Sequence, residues 1–151
     1  MAGMLREIES SARSLNFQMH LAPASDPSEI EGAFATLTTG VSRPSPCFPD
    51  RCFYAEYPRI VRLASQNRYP AVYAAREGAT LGGLMSYGAN LPDLARQTAA
   101  YVQRILKGAK PADLPVQQPT RFELVINPKT AKKLGLTISR DVLLLADEVI
   151  D

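Results

Sequence analysis

Apolar and polar positions alternate along this chain with two different periods, and the switches between them predict its elements. Residues 4–14 are helix formers with Leu5, Ile8 and Ala12 on one stripe. Phe17, Met19 and Leu21 alternate with Gln18 and His20, the period of a half-buried strand. Asp26, Pro27 and Glu29 form a helix start: an N-cap, a proline at the first position and a carboxylate reaching back. The helix that follows buries Ile30, Ala33, Phe34 and Leu37. Another runs from Pro58 with Ile60, Val61, Leu63 and Ala64 on its apolar face. Residues 69–73 and 84–86 read as short strands, the second entered through Gly82 and Gly83.

The helix over residues 92–107 is the clearest element. Asn90 caps it, Pro92 and Asp93 suit its first turn, and Gly108 ends it. Leu91, Leu94, Ala95, Thr98, Tyr101, Val102, Ile105 and Leu106 make one continuous stripe, which requires a cover. A proline-rich connector over 109–120 follows. Phe122, Leu124 and Ile126 then alternate with Glu123 and Val125 as a strand. Asn127 and Pro128 start a short helix closed by Gly135, and Ser139 caps a last helix from Val142 to Ile150. Strands alternating with helices predict an α/β fold, its mainly parallel sheet flanked by helices.

Composition narrows the function. At 151 residues, 46% apolar and 21% charged, the chain has the make-up of an ordinary globular domain rather than a disordered segment. Its net charge of +2 is scattered, so no basic face exists for nucleic acid. No apolar run is long enough to span a bilayer. The first residues show no charged, apolar and cleavage regions of a secretory signal, so the chain as given is expected in the cytoplasm. Cys47 and Cys52 permit a disulfide in an oxidising compartment, but two unpaired loop thiols are the preferred reading. With His20 they make too few ligands for zinc, and no other metal or cofactor is called for. His20 has no nucleophile partner, Gly82 and Gly83 are too short for a phosphate loop, and no acid pair has hydrolytic spacing, so an enzyme is not expected.

Taken in order, several motifs resemble the ABC-transporter substrate-binding proteins of the periplasmic type I fold. They are residues 26–34, the Phe48-Pro49-Asp50 loop, residues 59–64, residues 69–73, residues 82–88, residues 105–115, and residues 122–127 with 130–136. That family is two-lobed, and the resemblance covers only about its last half. It therefore implies a partial fold lacking most of the N-terminal lobe: a partial second lobe over 1–88, a crossover helix and strand over 89–126 that pack on the first lobe in the family, and a helical tail over 127–151. One departure stands out. Residues 42–47 read Ser-Arg-Pro-Ser-Pro-Cys where the family has an apolar strand, so that strand is weakened or lost.

The resemblance implies a solute-binding component of an ABC importer, or a truncated remnant of one, acting in the periplasm with a permease as partner. Its solute would be a small molecule such as an amino acid. In open α/β sheets ligands sit beyond the carboxyl ends of strands, which selects Asp50, Arg76, Glu77, Ser86, Tyr87, Gly88 and Asn90 as solute-binding candidates. For an amino acid they offer carboxylates for the amine and Arg76 for the carboxylate. The alternatives are a solvated pair for Arg76 and Glu77, ordinary strand-end loop residues or caps for the others, a non-binding remnant that self-associates, or a small standalone enzyme. A homodimer is expected, because the 92–107 stripe needs a cover.

Overall fold

The structure, a computed structural model, describes residues 2–16, 21–38, 46–47 and 51–150. The chain divides into two compact units, Met1–Ser42 and Arg43–Asp151. In the first, α1 spans Ala2–Ser14 and α2 spans Ile30–Thr38, preceded by a 3-10 turn over Pro27–Glu29. Asp26 caps that turn, accepting from the Ser28 N–H at 2.7 Å, and Glu29 Oε2 accepts from the Ser25 N–H at 2.6 Å. Ile30 is buried; Ala33, Phe34 and Leu37 are half-buried. The strand expected over 17–21 falls largely outside the described residues, as do His20 and the side chains of both cysteines.

The Asp26 carboxyl is held below the ordinary carboxylate range, chiefly by the Ser28 side chain and then by backbone N–H groups. A lowered folded-state pKa contributes stability above the unfolded value, and that contribution disappears as pH falls through the folded value. Asp26→Asn keeps a capping oxygen without the charge. Its stability deficit in urea melts should therefore narrow as pH is taken from 7 to below the carboxylate range; a pH-independent deficit would contradict this.

The second unit is built on a five-stranded sheet in the order β1-β2-β3-β4-β5. The strands are β1 Pro46–Cys47, β2 Val72–Tyr73, β3 Met85–Ala89, β4 Phe122–Ile126 and β5 Glu148–Val149. Only β3 and β4 pair antiparallel; the other three pairings are parallel. The helices are α3 Arg51–Tyr54, α4 Tyr57–Gln66, α5 Arg76–Thr80, α6 Leu91–Leu106, α7 Pro128–Lys133 and α8 Arg140–Leu145. In the altered segment β1 sits at the sheet edge, where a residue without an N–H such as Pro46 is tolerated.

Three sequence expectations need correction. The last helix does not reach Ile150. Ala146 turns extended, and the chain enters β5, with the Asp147 N–H donating to Leu124 O at 2.9 Å and the Ile150 N–H to Ile126 O at 2.8 Å. The apolar run Val142–Ala146 stays helical to Leu145, and Glu148–Val149 become a strand because the free edge of β4 pairs with them. Val125, expected on the polar side of β4, is fully buried together with Ile126, because both faces of the sheet are covered at that end. Finally, β3 runs to Ala89, three residues beyond its expected end, because β4 pairs along its whole length.

The core of this unit joins Tyr57, Ile60, Val61 and Ala64 of α4 to Tyr73, Ala79, Leu84, Val125, Ile126 and Ala131. Tyr57 and Tyr73 meet edge to face with centroids 5.8 Å apart. Asn127 pins α7 to this core. Its Oδ1 accepts from the Thr130 N–H at 3.0 Å, its Nδ2 donates to Ala79 O at 3.3 Å, and its N–H donates to Leu84 O at 2.9 Å. Asn127→Ala removes a cap and orphans a buried carbonyl, so urea unfolding should show a loss of about 2 kcal/mol.

α6 stands apart. Asn90 Oδ1 accepts from the Asp93 N–H at 2.9 Å, as its sequence predicts, and Gly108 ends it at φ 99. Yet none of its residues is buried.

Candidate functional site

Because β1, β2 and β3 run parallel, their carboxyl ends share one edge of the sheet. α5 begins three residues after Tyr73, where β2 ends, and α6 begins two residues after Ala89, where β3 ends. The loop after β1, including Asp50, lies outside the described residues.

The edge is organised around Arg76. Its two terminal nitrogens donate to both Glu148 carboxylate oxygens, at 2.6 and 2.7 Å, although the residues are 72 positions apart. The Glu148 bond holds the guanidinium above its ordinary value, and the charges of Glu123 and Glu77 add to it. Asn90 Nδ2 donates to Glu123 Oε2 at 2.7 Å, tying the start of α6 to β4. Glu77 is not the partner of Arg76. Its Oε2 is buried and accepts no hydrogen bond, while its carboxylate bonds the Tyr54 phenol and raises it above the ordinary value. Arg76, Glu77, Glu123 and Glu148 thus form an interacting group of three carboxylates and one guanidinium whose fork is already occupied. Such a group favours an ammonium over a carboxylate.

Both Arg76 and Glu148 are 41% exposed, so the bidentate geometry is worth about 1 kcal/mol at most. A double-mutant cycle with Arg76→Ala and Glu148→Ala should return a coupling of that size, and no coupling would mean that solvent screens the pair.

The remaining candidates separate. Ser86 and Gly88 lie inside β3, not beyond it. Ser86 is 1% exposed, its Oγ has no partner, and it sits between Tyr73 and Val125 in the ladder. Tyr87 points to the opposite face, 59% exposed, with its ring stacked on Phe122 at 5.9 Å. Gly88 is packed against the Ala74 carbonyl. The structure therefore brings Arg76, Glu77 and Asn90 to one edge and leaves Tyr87 on another face. Glu148, Glu123 and Tyr54 were not selected from the sequence. Glu148 was hidden by the helical reading of its segment, and Glu123 carried no more signal than any polar strand position.

A second concavity lies elsewhere. Leu94, Thr98, Tyr101 and Ile105 of α6 face Leu114 and Val116 of the connector across a groove of about 430 Å³. None of the candidates selected from the sequence lines it.

A family model of the ABC transporter substrate binding protein matches residues 3–150. The chain belongs to that family. No curated protein matches it. Among solved structures it is similar to a conserved domain protein from Vibrio cholerae, at 26% identity and a TM-score of 0.89 over 99% of this chain and 50% of that one. It is equally similar to an ABC domain from Streptococcus pneumonia in complex with L-Trp, at 28% identity and a TM-score of 0.89, again over 99% and 50%. A ligand-free, open substrate-binding protein with adhesive properties from Clostridium difficile shares the fold, at 18% identity and a TM-score of 0.63, over 97% of this chain and 48% of that one. The chain therefore spans about half the length of these structures. Its family is one of substrate-binding proteins and is normally periplasmic. Among the described residues no helix is long and apolar enough to cross a membrane, and no three His, Cys, Asp or Glu residues cluster as metal ligands.

Proposed function

We propose that this chain binds a small solute non-covalently, without turnover, as the solute-binding component of an ABC importer, and that the solute is an amino acid. The observation that carries this reading is its likeness, over 99% of its length, to the pneumococcal domain in complex with L-Trp. The edge chemistry supports it. An ammonium group suits the surplus of carboxylates around Arg76, Glu77, Glu123 and Glu148. Asp50, Arg76, Glu77, Ser86, Tyr87, Gly88 and Asn90 remain the proposed contact set, with Glu77 and Asn90 foremost and Glu123 added. The proposed partners are the solute, a permease and a second copy of the chain; the proposed compartment is the periplasm.

One sheet edge covers one side of a ligand, so affinity should be modest. Each 1.4 kcal/mol of missing contact costs about tenfold. Calorimetric titration with a panel of amino acids should show saturable heat with a dissociation constant above about 1 μM, abolished by Glu77→Gln. The chain contains no tryptophan, so the emission of added L-tryptophan gives a second readout. Silence across the panel at millimolar concentration would overturn solute binding by this chain, and submicromolar binding would overturn the one-sided site.

A further inference from the structure

We propose that Glu148 is a specificity-determining residue of the sheet edge: by occupying the fork of Arg76 it makes the edge take the ammonium end of a solute and exclude its carboxylate. This rests on the solute-binding reading above and assigns the direction in which the solute lies against the edge.

Arg76 opens α5, three residues after β2, while Glu148 lies in β5, and β3 and β4 stand between those two strands in the sheet. Ser86 pairs with Val125, and Val125 with Glu148, so these three side chains share one face. The Glu148 carboxylate takes the end of Arg76 with both oxygens, at 2.6 and 2.7 Å. Two parallel N–H···O bonds are also how a guanidinium recognises the carboxylate of a ligand. Glu148 therefore stands where the carboxylate of an amino acid would otherwise bind. The other carboxylates of the edge are engaged elsewhere: Glu77 with the Tyr54 phenol, and Glu123 with the Asn90 amide.

Charge reinforces the block. Glu148, Glu123 and Glu77 all act on the Arg76 guanidinium. Three carboxylates against one cation repel a further carboxylate and attract an ammonium. The contact is nevertheless displaceable. Arg76 and Glu148 are each 41% exposed, and an ion pair that open to water is weak. A change at residue 148 can thus reset the charge preference of the edge without unmaking the fold. Glutamine there keeps the shape of the side chain, frees the fork of Arg76 and removes one of the three negative charges. The edge then offers a carboxylate the bidentate partner that Glu148 now occupies.

Three indole probes separate the two charges. Tryptamine carries only the ammonium, indole-3-propionate only the carboxylate, and L-tryptophan both. In calorimetric titrations the 151-residue chain should prefer tryptamine to indole-3-propionate. Glu148→Gln should tighten indole-3-propionate by about fivefold or more, the factor that matches release of an exposed ion pair, and should weaken tryptamine. Adding Arg76→Gln to that variant should remove the gain. If Glu148→Gln fails to fold by circular dichroism, Arg76→Gln alone decides. It should tighten tryptamine, because it removes a cation from the edge. Tryptamine binding that does not tighten overturns the proposal, most directly when L-tryptophan binding is lost, since Arg76 then holds the solute carboxylate. An unchanged preference in Glu148→Gln also overturns it, while solute binding stands. Silence of every protein towards all three probes overturns both readings. Indole-3-propionate bound by Glu148→Gln alone upholds the role of Glu148 and overturns solute binding by the wild-type chain.

Discussion

Gly88→Ala is expected to destabilise the second unit by about 3 kcal/mol or more, among the largest effects of any single methyl group in this chain. An ideal Cβ at Gly88 would lie 1.8 Å from the Ala74 carbonyl oxygen and 2.8 Å from its carbon. Those atoms are backbone and cannot rotate away. Relief requires moving β3 off the segment that leads from β2 into α5, while β3 is held on its other side by the ladder from Met85 to Ala89. The same shift would carry Asn90 away from Glu123, so residual folded protein should also bind solute less well. Gly32→Ala is the matched control. It lies within α2 with nothing inside 4 Å of the added carbon, and it should gain up to about 1 kcal/mol from helix propensity. Urea melts of the two variants should move in opposite directions. A Gly88→Ala midpoint equal to wild type would mean that the close approach is absent in solution.

Tyr73→Ala is expected to cost about 3–5 kcal/mol, as for other buried aromatic truncations. The ring is 1% exposed, meets Tyr57 edge to face, and fills the space beside Gly78 and Gly83. At both glycines an added Cβ would fall within 2.4 Å of a Tyr73 ring carbon. The glycines and the tyrosine are thus one packing unit: the ring fits because two positions lack side chains, and without the ring the gap cannot collapse through backbone. Tyr73→Phe, which keeps the ring, should recover most of the loss. Equal melts for Tyr73→Ala and Tyr73→Phe would show that the ring does not carry this part of the core.

The elements governed by neighbours in sequence were legible from sequence. The caps at Asp26, Asn90, Asn127 and Ser139 each bond an N–H two or three residues away, and α6 begins and ends within a residue of its expected limits. These depend on local hydrogen bonding and helix periodicity, which a one-dimensional pattern contains. Membership in a substrate-binding family was legible as well, because motif order survives without contacts. Whatever depended on partners distant in sequence was not. The run from Val142 to Ile150 splits into a helix and a strand because β4 offers an unpaired edge there. Arg76 binds Glu148 across 72 residues instead of its neighbour Glu77. Ser86 is interior because β4 extends β3 past it, and Tyr87 faces away because successive residues of a strand alternate sides. The apolar stripe of α6 was plain in the sequence, but only the fold showed that the connector shields one flank and leaves the other bare. Local free energies set where helices start and stop; pairing and burial, which require the folded chain, decide which side chains meet at the edge of the sheet.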